Sequence, residues 1–215
     1  MDQRNQLRIF RRQDRTAVLG PGTRAVIWVQ GCPFGCPGCI VPESWPSDGG
    51  QIVSVNELSD WLLELPEIEG LTLSGGEPMQ QPEALCELLD SVRAERDLGV
   101  MCYTGYRHED LLHRGSPAQQ ALLERIDLLV DGPYIRHRHA ELLWRGSSNQ
   151  RLLDLSGLYA EVLAELADDS AGLELELDNE GLFFTGVPPR SGFLEQLSAG
   201  LASRGISLRR EGDGE

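Results

Sequence analysis

The sequence predicts an α/β protein: a partial (β/α) barrel followed by a small C-terminal α/β appendage. Three observations point there. Between residues 25 and 130, short apolar runs alternate with segments of helical periodicity, the pattern of parallel strands with helices between them. The chain has 215 residues, enough for one domain or one plus an appendage, and short for a complete eight-stranded barrel. Beyond residue 153 a second α/β segment with its own patterning begins. This reading divides the chain into an arginine-rich extension (1–18), a core (19–153) and the appendage (154–215).

The elements follow in order. Ala25-Val26-Ile27-Trp28-Val29 is an apolar strand. Ser54 with Glu57 has the form of a capping box, and Leu58, Trp61, Leu62 and Leu65 follow at helical spacing as core positions. Leu71-Thr72-Leu73 is the next strand. Pro82 opens a helix that carries Leu85, Leu88, Leu89 and Val92 on one face. Val100 to Tyr103 is a strand, 107–113 and 117–125 are helical, and Asp127 to Val130 is a strand. In the appendage, Leu155, Leu158, Tyr159, Val162 and Leu166 share one helical face. Leu173, Leu175 and Leu177 alternate with acids, Asp178-Asn179-Glu180-Gly181 reads as a turn, and Leu182-Phe183-Phe184 as the returning strand. Gly192 to Leu201 is helical again, and Ile206-Ser207-Leu208 is a last short strand. The tail past Arg210 has the composition of a disordered end.

Composition excludes several functions. No apolar run is long enough to span a membrane, and no signal peptide opens the chain. A net charge of −15 makes a poor nucleic-acid binder. All nineteen basic residues are arginine, so lysine chemistry is excluded. Residues 1–24 hold six arginines against two aspartates, a local +4, and read as a frayed end or a dock for an acidic partner. Residues 154–215 hold thirteen acids against four arginines, a local −9, and read as a solvated surface. Five cysteines, three of them clustered, argue for metal rather than disulfides and for a reducing, cytoplasmic compartment.

The cluster is Gly31-Cys32-Pro33-Phe34-Gly35-Cys36-Pro37-Gly38-Cys39, a C-x3-C-x2-C spacing. Three thiolates on one loop can hold three irons of a [4Fe–4S] cluster and leave the fourth free, whereas electron-carrying clusters normally have four cysteine ligands. Zinc usually takes its four ligands as two pairs; no second pair exists here, although His137 or His139 could supply a fourth ligand. The spacing favours iron–sulfur over zinc. Downstream, Leu71-Thr72-Leu73-Ser74-Gly75-Gly76-Glu77-Pro78 is a strand that ends in two glycines and an acid, at the C-terminal strand end where α/β sheets place ligands. Backbone carbonyls and the Glu77 carboxylate could accept hydrogen bonds from a ligand ammonium there. Cys86 and Cys102 read as small buried hydrophobes.

With these motifs the chain resembles the radical S-adenosylmethionine superfamily, and within it the glycyl-radical-enzyme activases. The resemblance runs from about Leu19 to Arg151. Besides the cysteine loop and Ser74-Gly75-Gly76-Glu77-Pro78, it rests on Gly20-Pro21-Gly22-Thr23-Arg24, Glu43-Ser44-Trp45, Thr104-Gly105-Tyr106, Leu129-Val130-Asp131-Gly132 and Trp144-Arg145-Gly146-Ser147-Ser148-Asn149-Gln150. Most members of the superfamily carry an aromatic residue before the third cysteine; Gly38 at that position suits the activases. The resemblance implies a partial barrel of the radical SAM type and assigns roles. Cys32, Cys36 and Cys39 would ligate iron, and S-adenosylmethionine would chelate the fourth iron through its amino and carboxylate groups. Gly38, Cys39 and Ile40 would lie against that cofactor; Gly75, Gly76 and Glu77 would hold its ammonium; Thr104 and Gly105 are further candidates for the same pocket.

One electron, from a donor such as flavodoxin or ferredoxin, would cleave S-adenosylmethionine to methionine and a 5′-deoxyadenosyl radical. That radical would take a hydrogen atom from a glycine Cα of a partner enzyme, such as an anaerobic ribonucleotide reductase. Asp131, Trp144, Arg145, Ser147 and Asn149 would form a substrate or partner region. The appendage departs from the family and leaves other readings open: a radical SAM enzyme acting on another peptide or small molecule, or a non-catalytic iron–sulfur or zinc module.

Overall fold

The computed structural model of the chain describes residues 5–166, 172–177 and 182–206. Its centre is a seven-stranded mixed sheet built from β1 (Gln6–Thr16), β2 (Arg24–Val29), β3 (Gln51–Ser54), β4 (Gly70–Gly75), β5 (Gly99–Thr104), β6 (Leu128–Asp131) and β9 (Arg151–Asp154), in the order β3-β1-β2-β4-β5-β6-β9. The four middle strands are parallel, as the alternation with helices implies. Two edge strands that the sequence reading did not identify make the sheet mixed: β1 pairs antiparallel with β2 and β3, and β9 antiparallel with β6. Residues 6–16 of the arginine-rich start are not frayed: they form β1, with Leu7 and Ile9 fully buried and Arg8, Arg11 and Arg12 half-buried.

Period-2 patterning splits the parallel strands into two faces. One face carries Ala25, Ile27, Leu71, Leu73, Val100 and Cys102 against α1 (Val55–Glu64), α2 (Pro82–Glu95) and α4 (Pro117–Leu123). Those helices contribute Leu58, Leu62, Leu85, Leu88, Leu89 and Leu122, all essentially inaccessible. The Ser54 hydroxyl accepts from the Glu57 amide and caps α1; the full reciprocal box forms instead at α4, between Ser116 and Gln119. Between α2 and α4 lies α3 (His108–Arg114).

The opposite face is layered. At its bottom the Arg24 side chain is fully buried with no carboxylate partner among the described residues. Its five N–H donors meet the Thr72 hydroxyl, the carbonyls of Pro21, Leu71 and Gly99, and the Tyr159 hydroxyl at 2.7–3.2 Å, which satisfies the whole guanidinium. Above it, Val26, Thr72, Met101 and Leu128 sit in register across the four strands. Trp28, Ser74, Tyr103 and Val130 form the top layer, nearest the C-terminal strand ends. Trp144, Leu143 and Tyr159 pack beneath this face.

The appendage holds α5 (Ala160–Glu165), an antiparallel hairpin of β10 (Leu173–Leu177) and β11 (Leu182–Gly186), and α6 (Phe193–Ala202). The helix expected from Leu155 is shorter than its apolar spacing implies: Leu155 follows β9, Leu158 is exposed, and Tyr159 points down to Arg24. The expected turn at 178–181, the Ser207-Leu208 part of a last strand, and the tail past Arg210 lie outside the described residues. The hairpin docks on β1. Glu174 accepts from the Thr16 hydroxyl at 2.7 Å and the Ala17 amide at 3.0 Å. Arg11 pairs with Glu176 at 3.0 Å while its guanidinium stacks 3.7 Å from the Phe183 ring. The Thr185 hydroxyl donates to Gln13 at 2.7 Å.

Candidate functional site

The sequence motifs converge at one end of the parallel strands. The cysteine loop leaves the end of β2, and the chain after it is pinned back onto its start: the Gly31 amide donates to Ser44 O at 2.8 Å and the Cys32 amide to Trp45 O at 3.0 Å. Gln30 reinforces this with its side-chain amide on the carbonyls of Glu43 and Pro46. The end of β4 closes on the same point. The Gly76 amide donates to Val29 O and the Glu77 amide to Gly31 O, both at 2.8 Å. A Cβ at Gly76 would overlap the Gly31 carbonyl, so only glycine permits this approach. Within the loop, Gly38 takes φ +83° beneath Tyr134 and Arg136, a left-handed conformation that an aromatic residue would strain.

All three loop cysteines are free thiols, partly buried. Burial is the main cause that holds each above its ordinary pKa, and at Cys36 the neighbouring Cys39 and Cys32 add to it. Three thiols in mutual electrostatic reach on one loop fit an iron–sulfur cluster, whose iron charge would offset what burial imposes. Among the described residues, no group of three or more His, Cys, Asp or Glu is gathered as a single-ion site. His139 has both ring nitrogens engaged, one with the Tyr134 hydroxyl at 3.1 Å and one with Pro188 O at 3.0 Å; His137 is exposed. Cys102 is buried in β5 and Cys86 lies half-buried on α2.

Glu77 is 1 % exposed and turned inward. Its carboxylate accepts from the Met79 amide at 3.0 Å, the Thr104 hydroxyl at 2.8 Å and the Gly105 amide at 2.7 Å. It thus clasps the end of β4 to the end of β5. Burial pushes its carboxyl up to about 7, against the lowering pull of those three donors. Phe34 of the cysteine loop packs over Gly105 and edge-on to Tyr106, ring centroids 4.9 Å apart. Cys32, Phe34, Glu77, Thr104 and Gly105 therefore form one assembly.

Gly38, Cys39 and Ile40 line a cavity of about 410 Å³ on the other side of the loop. Ser74 and Tyr103 of the top layer reach it, as do Gly146 and Gln150. Sequence reasoning missed Tyr103; the signal was its alternation with Met101 on the face that carries Trp28. A wider groove of about 1160 Å³ opens on the Cys32 side, between Arg8 and Gln81.

The remaining sequence candidates are tied into the scaffold. Asp131 is fully buried and bonded to Arg151 through two contacts, to Arg107 at 3.5 Å and to the His108 amide at 2.8 Å. Trp144 is buried at φ +52°. Arg145 donates to Leu143 O. The buried Ser147 accepts from the Ile135 amide, and Asn149 donates to Pro133 O at 2.8 Å. This stretch spans a small hairpin, β7 (His139–Leu142) with β8 (Arg145–Ser147), folded on itself beside the cavity.

Residues 18–153 match the family described as 4Fe-4S single cluster domain. The anaerobic ribonucleoside-triphosphate reductase-activating protein of Enterobacteria phage T4 is 37% identical over 142 residues, which cover 63% of this chain and 86% of that protein. The protein of the same name from Escherichia coli K12 is 35% identical over 131 residues, covering 55% and 79%. The pyruvate formate-lyase-activating enzyme of Clostridium pasteurianum is 40% identical over 77 residues, covering 34% and 32%.

Proposed function

The chain belongs to the family of the 4Fe-4S single cluster domain, and on that premise we propose that it is a radical SAM activase that generates a glycyl radical on a partner enzyme. Cys32, Cys36 and Cys39 hold the [4Fe–4S] cluster. Once bound, the cluster supplies the electron that splits S-adenosylmethionine into methionine and a 5′-deoxyadenosyl radical, which takes a hydrogen atom from a glycine Cα. The mixed sheet, in this reading, is the wall of a partial barrel, with 19–153 as its catalytic core.

The chain's own residues position and exclude. Gly38, Cys39 and Ile40 present the loop to the cofactor. Gly75 and Gly76 bring the β4 end against the loop, and Glu77, with Thr104 and Gly105, fixes that end and offers negative charge to the methionyl ammonium. Asp131, Arg145 and Asn149 shape the hairpin that a substrate meets. The partner is a protein of the glycyl-radical class, and the electron donor is a flavodoxin or ferredoxin. The reaction belongs to a reducing compartment such as the cytoplasm. No described helix is long and apolar enough to cross a membrane.

One observation carries the reading: the three-cysteine loop and the Gly75-Gly76-Glu77 segment, forty residues apart in sequence, are locked together by main-chain hydrogen bonds to Val29 and Gly31. The test is anaerobic. Reconstituted protein with dithionite and S-adenosylmethionine should release 5′-deoxyadenosine, and Cys36→Ala should lose cluster absorbance and release together. Retention of both in the variant would refute the ligand assignment. Loading a candidate glycyl-radical partner and looking for its radical by electron paramagnetic resonance then tests the activase role.

A further inference from the structure

The appendage does not simply trail from the core. Beyond its contacts with β1, it reaches the β7–β8 hairpin, where His139 donates to Pro188 O, and it closes over the Cys39 side of the cysteine loop. Phe184, Thr185, Val187 and Arg190 come from the appendage to wall the 410 Å³ cavity. The family match stops at residue 153, so this wall lies outside it.

Two features mark the cavity as a ligand site. Among the described residues the buried Tyr103 hydroxyl has no hydrogen-bond partner, which costs free energy unless a guest completes it. The lining is also divided in chemistry. Trp28, Tyr103, Phe184 and Val187 offer apolar and aromatic surface, while Arg136 and Arg190 outnumber Glu195 and leave the lining net positive in a chain of net charge −15. The volume suits one small organic ligand.

We propose that residues 184–190 and Tyr103 form the outer half of a site for a nucleoside that carries an amino acid, with aromatic surface for the base, the Tyr103 hydroxyl for a polar group and the arginines for the carboxylate oxygen that iron leaves free. This deepens the radical SAM reading and rests on it: S-adenosylmethionine belongs to that class, and here the chain's own appendage encloses it.

The test uses cluster-loaded, full-length protein and S-adenosylhomocysteine, which has no sulfonium to cleave, titrated by calorimetry. Arg190→Ala and Val187→Trp should each weaken binding tenfold or more. Tyr103→Phe should weaken it two- to tenfold while leaving thermal stability unchanged or raised, because it removes an unpaired buried hydroxyl. A merely structural tyrosine would instead lose stability and leave binding alone. If Val187→Trp fails to fold, Arg190→Ala and Tyr103→Phe decide. Wild-type binding that neither variant alters overturns the proposal, and so does a wild type that does not bind. 5′-Deoxyadenosine release, measured on the same samples with S-adenosylmethionine, shows separately whether the radical SAM reading stands.

Discussion

Replacing Asp131 by asparagine should cost the fold about 3 kcal/mol and leave the cysteine loop intact. Asp131 is fully buried, and it is the hub that joins Arg151 of β9, Arg107 and the first amide of α3. Asparagine keeps an acceptor for His108 but removes the charge that the two guanidinium groups face. Breaking a buried pair from one side costs about 3–5 kcal/mol. Arg151 is partly exposed and can turn to Glu109, which favours the low end. For a chain of this size that is a fall of about 6–12 °C in Tm. The acid limb should change as well. Burial raises the Asp131 pKa, but hydrogen bonds from Arg151 and His108 and the arginine charges more than offset it, so the net direction is down from 3.8. A depressed carboxylate stabilises the fold above its unfolded pKa and loses that contribution as pH falls through the folded value. The variant should therefore lose less stability than wild type below about pH 4. Differential scanning calorimetry at pH 3–8, with iron content alongside, is the assay. An unchanged Tm together with lost S-adenosylmethionine cleavage would refute the structural role and return Asp131 to the substrate.

Glu77→Gln should remove a pH dependence. The raised Glu77 pKa means its neutral form favours folding below 4.5 and the benefit is lost as pH rises through about 7; at about 1.4 kcal/mol per pH unit this is about 3 kcal/mol. Urea denaturation of cluster-free protein from pH 4 to 8 should show that fall in wild type only, and equal slopes would count against it. Gly76→Ala should displace the cysteine loop and lower iron occupancy, because its Cβ overlaps the Gly31 carbonyl; full iron loading would show that the contact is dispensable. Arg24→Met should strip the guanidinium from the Pro21, Leu71 and Gly99 carbonyls and the Tyr159 hydroxyl, while Thr72 keeps its bond to Leu19 O, and destabilise by more than about 3 kcal/mol, since each buried orphan costs about 1–3. A soluble variant of wild-type Tm would refute that account.

The central strands were legible because both of their faces are buried. Ala25–Val29 reads as a continuous apolar run and Leu71-Thr72-Leu73 as an alternating one, and the helices between the strands show their stripes openly. The edges were not. In β1 only Leu7 and Ile9 betray a strand, because its arginines lie along the aromatic faces of Trp28, Trp61 and Phe183 and look like a charged tail. In β9, the run Arg151-Leu152-Leu153-Asp154 is too short to stand out. At the site, the cysteine spacing and the Gly75-Gly76-Glu77 turn were explicit. What sequence could not give was direction: that the Glu77 carboxylate faces Thr104 and Gly105, that Asp131 is an ion-pair hub, and that a distant hairpin supplies Phe184 and Val187 to the cavity. Each depends on contacts between residues far apart in the chain.

The docking of β10 and β11 onto β1 also sets an order in biosynthesis. The main-chain hydrogen bonds that tie the start of the cysteine loop to the β4 end join residues between 29 and 77, whereas Glu174, Glu176 and Phe183 arrive about a hundred residues later. At ribosomal speeds of about 5–20 residues per second, that interval lasts roughly 5–20 s. During it the nascent chain can begin to shape the thiol loop before the appendage covers its Cys39 side.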